Sequence, residues 1–292
     1  MTLPAADTVV TYPDGDLAST GTVLHVEPLA DGRSAVILDR TAFHPVDPVW
    51  PDQPADTGTL TVDGRAVPVV GAVVGATDGT TLYVGDAPVR TGTDGWSFVV
   101  CHLVEEATGV EPGGAATVEV DAETRRALST GHTACHLASL ALDEALAGLW
   151  TKEVPLDGRG QPAFDQLAIA SSRILPDGSV DEYRIGKSLR KKGFAAAELP
   201  AALAAVTDAA NARLDGWAQA GAALAISIER DGDGLGERRR WRAELPDGVV
   251  EIPCGGTHLH SLSELAAVTV TLELVEAEGA LTLTMRTSAE PA

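Results

Sequence analysis

Two pairs of metal-ligating side chains, far apart in the sequence, constrain the fold most strongly. His132 and His136 stand four residues apart, and Cys254 and His258 repeat that spacing downstream. Residues four apart lie on the same face of a helix, so the first pair can present two imidazoles to one ion. Two histidines at helical spacing often arise by chance. A second pair that includes a cysteine is stronger evidence in a chain with three Cys and seven His.

The second pair needs a different backbone. A strand-like run ends at Pro253, and Gly255 and Gly256 then allow the tight turn that would bring Cys254 and His258 to a common point. Taken alone, the first pair is more typical of core or capping histidines. The two pairs together predict a metal site in a hydrolase.

The composition predicts an ordered protein with a sizeable core. The chain has 292 residues, of which 45% are hydrophobic. No apolar run approaches the length of a membrane span, and the first residues lack the pattern of a secretion signal. Three cysteines are too few and too scattered for a disulfide framework, which fits a reducing compartment. We therefore expect a cytoplasmic protein that makes no membrane contact.

The charge distribution bears on nucleic-acid binding. Lys and Arg number 21 against 42 Asp and Glu, which gives a formal net charge of -21 and would repel phosphates from most of the surface. Eight basic residues nevertheless fall in two short segments, which are either a local phosphate-binding patch or solvated charge runs. They are Lys187, Arg190, Lys191, Lys192, Arg238, Arg239, Arg240 and Arg242.

Residues 1–121 are predicted to form a small β-barrel domain. Asp63-Gly64 is a strong hairpin signal, and Pro68 favours an edge strand. Residues 43–56 contain four prolines without periodicity, which predicts a rigid loop suited to a substrate wall. The predicted strands are 22–27, 34–39, 58–63, 66–74, 80–84, 97–103 and 116–120.

Residues 122–292 are predicted to form a second, mixed domain. Ser129-Thr130 is expected to cap a helix that carries His132 and His136 in its first turn. A second, alanine-rich helix is expected at 195–221. Strands are expected at 167–174, 180–185, 223–229, 239–244, 249–252, 267–274 and 281–286, so the class is α+β, with helices against an antiparallel sheet.

These motifs form a family pattern. The pattern consists of His132-x3-His136 and Cys254-Gly-Gly-Thr-His258, preceded by residues 36–43 and by Gln53-Pro-Ala-Asp-Thr-Gly58. It resembles the editing domain of alanyl-tRNA synthetase and its freestanding AlaX-type relatives. The resemblance extends over nearly the whole chain. It implies an N-terminal barrel followed by an α/β two-layer editing core of the threonyl/alanyl-tRNA synthetase type.

The resemblance also implies an activity. Members of the family hydrolyse the ester of mischarged tRNA, typically seryl- or glycyl-tRNA for alanine. The resemblance therefore implies that the chain is a trans-acting deacylase in translation quality control. Zn²⁺ would be held by His132, His136, Cys254 and His258. Thr41 falls on a threonine that senses the hydroxyl of the mischarged amino acid, and Gln53 falls on the glutamine of a glycine-rich loop.

The chain departs from the family in that loop. Prolines and Trp50 replace glycines between His44 and Gln53, so a threonine-like analogue, such as fluorothreonine, is an alternative substrate. After His258, only the carboxylate of Glu264 remains from the usual motif. Glu264 either orients a metal-bound imidazole or is a surface carboxylate.

The mechanism and two other function classes remain open at this stage. Four protein ligands make a closed zinc site, whereas catalysis needs an open position. We hypothesise that the ion expands its coordination or loosens a ligand, with the Gly255 and Gly256 amides near the substrate carbonyl. Trp241 either stacks on a base or is a half-buried strand residue. The alternatives are a zinc-dependent hydrolase of a small ester or amide, and a noncatalytic zinc-stabilised binding protein.

Overall fold

The computed structural model describes residues 3–220, 226–230, 232–277 and 280–292. The chain divides into two compact units. The first comprises Met1–Arg126, Ile228–Arg240 and Pro253–Thr257, and the second comprises Ala127–Ser227, Trp241–Ile252 and His258–Ala292. No helix among the described residues is long and apolar enough to cross a membrane.

Most of the first unit is one antiparallel sheet of eight strands in the order β6-β5-β10-β2-β3-β9-β7-β8. Because β6 and β8 are its two ends, the ladder of the described residues stays open, and the expected closed barrel is not confirmed. The short strands β1 and β4 pair in parallel beside it. The strands are β1 (Val9–Val10), β2 (Ala18–Pro28), β3 (Ser34–Leu38), β4 (Arg40–Thr41), β5 (Gly58–Val62), β6 (Arg65–Val69), β7 (Gly71–Thr77), β8 (Leu82–Val84), β9 (Ser97–Val104) and β10 (Ala115–Val120).

Local turn signals predicted this sheet well. Asp63 and Gly64 have φ values of 51° and 77° between β5 and β6, as a primed two-residue hairpin turn requires. Pro68 lies on β6, an end strand, where its missing N–H costs no ladder bond. The predicted strand 66–74 is two strands instead, because its first part pairs with β5 and its second part with β9.

The second unit contains a four-stranded antiparallel sheet in the order β11-β12-β17-β16. A separate three-stranded sheet has the order β13-β14-β15. The class is mixed α and β with sheets predominant, consistent with the α+β prediction. The elements are α1 (Ala122–Ala145), α2 (Phe164–Ala168), β11 (Ile169–Leu175), β12 (Gly178–Ile185), α3 (Lys187–Lys191), α4 (Leu199–Ala220), β13 (Ile226–Arg230), β14 (Arg239–Leu245), β15 (Gly248–Pro253), β16 (Leu265–Ala277) and β17 (Ala280–Pro291).

Some predicted boundaries differ from the observed ones. The strand predicted from 167 begins at Ile169, after the short helix α2. The helix predicted from 195 begins at Leu199, and α3 was not predicted. Residues 223–225 of the predicted strand 223–229 lie outside the described residues.

Helix α1 begins earlier than the sequence suggested. Asp121 accepts a hydrogen bond from the Thr124 N–H at 2.9 Å, so Asp121, not Ser129 or Thr130, caps the helix. Ser129 and Thr130 are buried inside the helix. The capping prediction was therefore wrong, and the histidine pair lies well inside α1 rather than in its first turn.

A glycine fixes how closely α1 approaches the sheet of the second unit. A Cβ at Gly131 would collide with the backbone carbonyl oxygens of Leu175 and Gly178, in the turn between β11 and β12. The carbonyl of Ala127 also accepts a hydrogen bond from the Asp177 N–H at 2.9 Å. This turn therefore packs directly on the helix, one residue before His132.

A buried carboxylate lies further along the same helix. Asp143 is 3% exposed and accepts a hydrogen bond from the Asp165 N–H at 2.7 Å. Burial, with repulsion from Asp165 and Asp157, raises the pKa of Asp143 to about 8. Ionisation of this group therefore opposes folding.

We expect the free energy of unfolding to fall as the pH rises from about 4 to about 8, between the unfolded and folded pKa values of Asp143. The folded pKa of Asp143 lies above the ordinary value of 3.8, so the native state binds the proton more tightly than the unfolded chain. The stability that the protonated Asp143 contributes is fully present below about pH 4. It is lost progressively up to about pH 8, by on the order of 1 kcal/mol per pH unit. Asp143→Asn should flatten this slope in urea unfolding curves, whereas Asp208→Asn, at an exposed position on α4, should not. An unchanged slope in Asp143→Asn would contradict the assignment.

Candidate metal centre

The structure brings the four predicted metal ligands together. One ligand atom each from His132, His136, Cys254 and His258 lies within 4.8 Å of the other three. Bonds of about 2.0–2.3 Å around a tetrahedral ion place its ligand atoms roughly 3.3–3.8 Å apart. The observed spacing is close to that, so small side-chain movements suffice for coordination.

The helix supplies two of the three imidazoles as predicted. The rings of His132 and His136 are stacked, with centroids 4.9 Å apart and planes 13° apart. His258 approaches both, at 4.3 Å from His132 and 5.0 Å from His136. The spacing of four residues on α1 therefore produces the shared face from which the site is built.

Thr133, which the sequence did not single out, positions the third imidazole. Its Oγ1 lies 3.3 Å from Nδ1 of His258 and accepts a hydrogen bond from the Leu259 N–H at 3.0 Å. Helix α1 therefore carries two ligands and also holds the segment that carries His258.

Trp241 covers the imidazole of His136. It is fully buried on β14, and its ring stacks on His136 at 4.9 Å with planes 13° apart. A buried ring cannot stack on a nucleic-acid base, so that alternative for Trp241 is wrong. The expected half-buried strand residue is instead a wall of the metal site.

The chemistry of His136 fits a metal ligand. Its Nε2 is buried and has no hydrogen-bond partner among the described residues. Burial lowers the pKa of His136 to about 4, so the imidazole is neutral near pH 7, as a ligand must be.

The neighbours of Cys254 have opposing effects on the ionisation of its thiol. The Gly256 N–H donates to its Sγ at 3.4 Å, a contact that favours the thiolate. Burial outweighs it and raises the pKa of Cys254 to about 12. A metal ion would therefore have to displace the thiol proton. Three imidazoles and one thiol form a His/Cys cluster that can bind a metal ion.

Gln53 braces the segment that carries Cys254 and His258. It is 1% exposed, its Nε2 donates to Thr257 Oγ1 at 2.8 Å, and its Oε1 accepts from the Thr257 N–H at 3.0 Å. These two bonds join the proline-rich loop to the residue that precedes His258. The sequence placed Gln53 at the site by resemblance alone, and this contact gives it a structural role.

Thr41 is held in one orientation by His102. His102 is buried, its Nδ1–H donates to the Val36 carbonyl at 2.9 Å, and burial lowers its pKa to about 4. Nε2 of this neutral ring is thus an acceptor, and the Thr41 hydroxyl donates to it at 2.8 Å. Thr41 Oγ1 also accepts from the Phe43 N–H at 3.1 Å. One lone pair of Oγ1 remains for a further donor.

A buried ion pair holds the two ends of the proline-rich loop together. Arg125 donates from Nε to Asp56 at 2.8 Å and makes a second, shorter bond to the same carboxylate. Asp56 also accepts from the His44 N–H at 2.5 Å. Burial lowers the pKa of His44 to about 4, so the imidazole is neutral near pH 7. Nothing in the sequence pattern identified this pair.

The remaining predicted site residues lie around the ligand segment. Gly255 is exposed, and a Cβ there would meet no atom within 4 Å, whereas Gly256 is buried. Glu264 Oε1 accepts from the His260 and Ser261 N–H groups at 3.0 and 3.1 Å in a capping box. Its carboxylate therefore stabilises the loop that follows His258.

The two basic segments differ in exposure. Lys187, Arg190, Lys191 and Lys192 are exposed on or just after α3, and Arg238 and Arg240 are exposed near the start of β14. Arg242 pairs with Glu244 at 2.8 Å. Arg239 is only 8% exposed and donates to the backbone carbonyls of Gly234, Leu235 and Glu237. The assignment of Arg239 to a phosphate-binding patch was therefore wrong.

The chain is similar to alanine–tRNA ligases. It is 29% identical to the alanine–tRNA ligase of Frankia casuarinae over 266 residues. The aligned region covers 87% of this chain and 25% of the relative. The Nocardioides sp. enzyme is 29% identical over 264 residues, with coverages of 87% and 24%. The Halobacterium salinarum enzyme is 33% identical over 116 residues, which are 40% of this chain and 10% of the relative. No family model matches.

Fold and site together define a mixed α and β protein with a candidate metal centre built from histidine and cysteine. The comparisons add its relationship: the chain is similar to alanine–tRNA ligases over 80–87% of its own length. The chain spans about a quarter of the length of the curated relatives it matches.

We expect the cluster to bind one divalent metal ion. His136→Ala and Cys254→Ser should each lower the metal content of the purified protein, because each removes a ligand. With Co²⁺ as a probe, the thiolate-to-metal absorption band should disappear in Cys254→Ser. His260→Ala is the matched control, because His260 is exposed and lies two residues beyond His258. Equal metal content in all four proteins, wild type included, would contradict the site.

We expect Gln53→Ala to weaken metal binding without removing a ligand. The change removes the two buried hydrogen bonds between Gln53 and Thr257, each worth about 0.5–1.5 kcal/mol. Gln53→Glu keeps the acceptor for the Thr257 N–H and should lose less. Competition titration with a metal chelator measures the effect, and Gln219→Ala, at an exposed position on α4, is the control. Unchanged affinity in Gln53→Ala would exclude the bracing role.

Proposed function

We propose that the chain is a zinc-dependent deacylase that hydrolyses the ester of a mischarged aminoacyl-tRNA. The observation that supports this most directly is the four-residue His/Cys cluster in a chain that matches alanine–tRNA ligases over most of its length. On this proposal, residues 1–121 and 122–292 are a barrel-like domain and an editing domain. A cytoplasmic location stays a prediction.

Zinc is the metal we propose, because three imidazoles and one thiolate are typical zinc ligands. When bound, it would supply Lewis acidity that polarises an ester carbonyl or acidifies water. His132, His136, Cys254 and His258 would hold it, and Trp241 and Thr133 would orient two of the imidazoles. Four protein ligands complete a tetrahedral set, so a direct role in catalysis requires a fifth position or the release of one ligand. If all four stay bound, the cluster shapes the pocket and the terminal hydroxyl of tRNA assists the water.

The remaining residues are assigned roles that their contacts support. Thr41 is fully buried and its own proton is committed to His102, so it would accept a hydrogen bond from a hydroxyl on the amino acid only once the pocket opens onto its Oγ1. The exposed Gly255 N–H would donate to the ester carbonyl. Gln53, Gly256 and Glu264 would act by positioning, through Thr257, Cys254 and the loop after His258.

The proposed partner is the acceptor end of a tRNA. Exposed basic residues on and after α3 and near the start of β14 would contact phosphates, with Arg239 excluded by its burial. The amino acid is serine, glycine or a threonine-like analogue such as fluorothreonine. An acceptor-only Thr41 favours the amino acids that carry a hydroxyl.

A second candidate is a zinc-dependent hydrolase of a small ester without tRNA. The formal net charge of -21 favours it, because an acidic surface repels phosphates. The burial of Arg239 reduces the available basic residues further.

A panel of mischarged tRNAs distinguishes the two candidates. We expect release of the amino acid from at least one, with loss of activity on chelation and in Cys254→Ser. Lys191→Glu should raise KM and reduce the effect of salt on KM, because it removes an exposed positive charge that would contact a phosphate, while kcat on a small aminoacyl ester stays unchanged. Arg239→Glu should instead lower stability, because it leaves three backbone carbonyls without their donor. Hydrolysis of small esters with no activity on any tRNA would support the second candidate.

A further inference from the structure

An exposed tryptophan stands at the tip of the proline-rich loop. Trp50 is 43% exposed and its neighbour Val49 is 81% exposed, whereas Trp217 and Trp241 are at most 2% exposed. No aromatic ring or guanidinium contacts Trp50 within the described part of the chain. The exposed part of this indole, 43% of the residue, is therefore available to a ligand.

The loop holds this ring in place at little entropic cost. Prolines at 45, 48, 51 and 54 each fix one φ angle near −65°. The Asp47 carboxylate accepts from the Val49 N–H at 2.8 Å, and the Asp52 N–H donates to the Trp50 carbonyl at 2.9 Å. The Trp50 side chain also hydrogen-bonds to the Asp52 carboxylate. The indole is preorganised, which reduces the ordering cost of binding.

Both sides of the tip are anchored in the first unit. On one side, the Val46 N–H donates to the Ala72 carbonyl at 3.0 Å, and the Val46 carbonyl accepts from the Val74 N–H at 3.1 Å. On the other side, Gln53 holds Thr257 by two hydrogen bonds. Trp50 is three residues from Gln53, so the tip is connected through one buried contact to the segment that carries Cys254.

The surroundings of the ring favour a flat, uncharged ligand surface. Asp47 and Asp52 flank it, so a phosphate is repelled, but the face of a nucleobase carries no charge. Stacking of a base on an aromatic side chain tolerates any base identity. One exposed tryptophan and one valine are far too small for a stable protein interface, which needs about 1,000 Å² or more.

We propose that Trp50 is a stacking platform for an unpaired base in the single-stranded 3′ end of a tRNA. The inference rests on the proposed function, because it names the part of the partner that the loop would receive. It assigns recognition to a segment in which the chain departs from its family. The contact places a base on the indole and leaves the neighbouring phosphates directed away from Asp47 and Asp52.

Binding of a short single-stranded RNA that ends in CCA tests the contact directly. We expect the RNA to quench the fluorescence of the wild-type protein, and the quenched component to be missing in Trp50→Phe. Trp50→Ala should weaken binding about 5- to 100-fold, whereas Trp50→Phe should keep most of the affinity. Val49→Ala, which removes an exposed apolar neighbour without a ring, should change affinity less than about twofold. The loss in Trp50→Ala should be the same at low and high salt, since no phosphate contact is removed.

Kinetics with mischarged tRNA separate this proposal from the proposed function. We expect Trp50→Ala to raise KM for the tRNA and to leave kcat and the metal content unchanged. Equal KM in wild type and Trp50→Ala, with deacylation intact, would overturn the stacking proposal alone. RNA binding through Trp50 in a protein that hydrolyses no aminoacyl-tRNA would support the platform and reject the deacylase. A changed oligomeric state in Trp50→Ala with unchanged RNA binding would make the tip a protein contact and overturn the proposal.

Discussion

The site depends on one constraint: three imidazoles and a thiol from two distant segments of the chain must come close to a common point. Buried polar side chains cost free energy unless each finds a partner. Here the partners come from several directions: Trp241 stacks on His136, Thr133 approaches His258, and the Gly256 N–H meets the sulfur of Cys254. The buried Nε2 of His136 has no hydrogen-bond partner among the described residues, and a metal ion would supply one. The cluster can therefore bind a metal ion without any loss of hydrogen bonds at this nitrogen.

The proline-rich loop depends on a comparable constraint in the first unit. The Arg125 guanidinium and the Asp56 carboxylate are both almost fully buried, and each is satisfied by the other and by backbone groups. Removal of one partner from such a pair typically costs about 3–5 kcal/mol, because the other charge stays buried. The pair fixes the backbone at Asp56 and His44, and Gln53 fixes the same loop to Thr257. A loop with so many prolines is thereby held in one conformation by a contact between its own two ends and by two partners outside it, Arg125 and Thr257.

The sequence predicted those features whose cause is local. Asp63-Gly64 determined a hairpin turn by its own backbone preferences, and the spacing of His132 and His136 placed both rings on one helix face. Long-range features did not follow in the same way. The open ends of the eight-stranded sheet depend on which strands pair, which periodicity does not specify. The Gln53–Thr257 contact joins residues 204 positions apart, so its hydrogen bonds could not be read from either motif. In the sequence, Arg239 belongs to a run of basic residues. In the structure, its guanidinium donates hydrogen bonds to backbone carbonyls in the turn before β14.

The acidic composition and the proposed tRNA substrate are reconciled if recognition relies little on charge. Electrostatic attraction supplies affinity for any nucleic acid and is weak for a chain of net charge -21. Contacts that do not depend on phosphate, such as stacking on Trp50 and a hydrogen bond accepted by Thr41, lose nothing on an acidic surface. A hydrogen bond to such an acceptor would also discriminate against an amino acid that has no hydroxyl, whereas a basic patch accepts any phosphate.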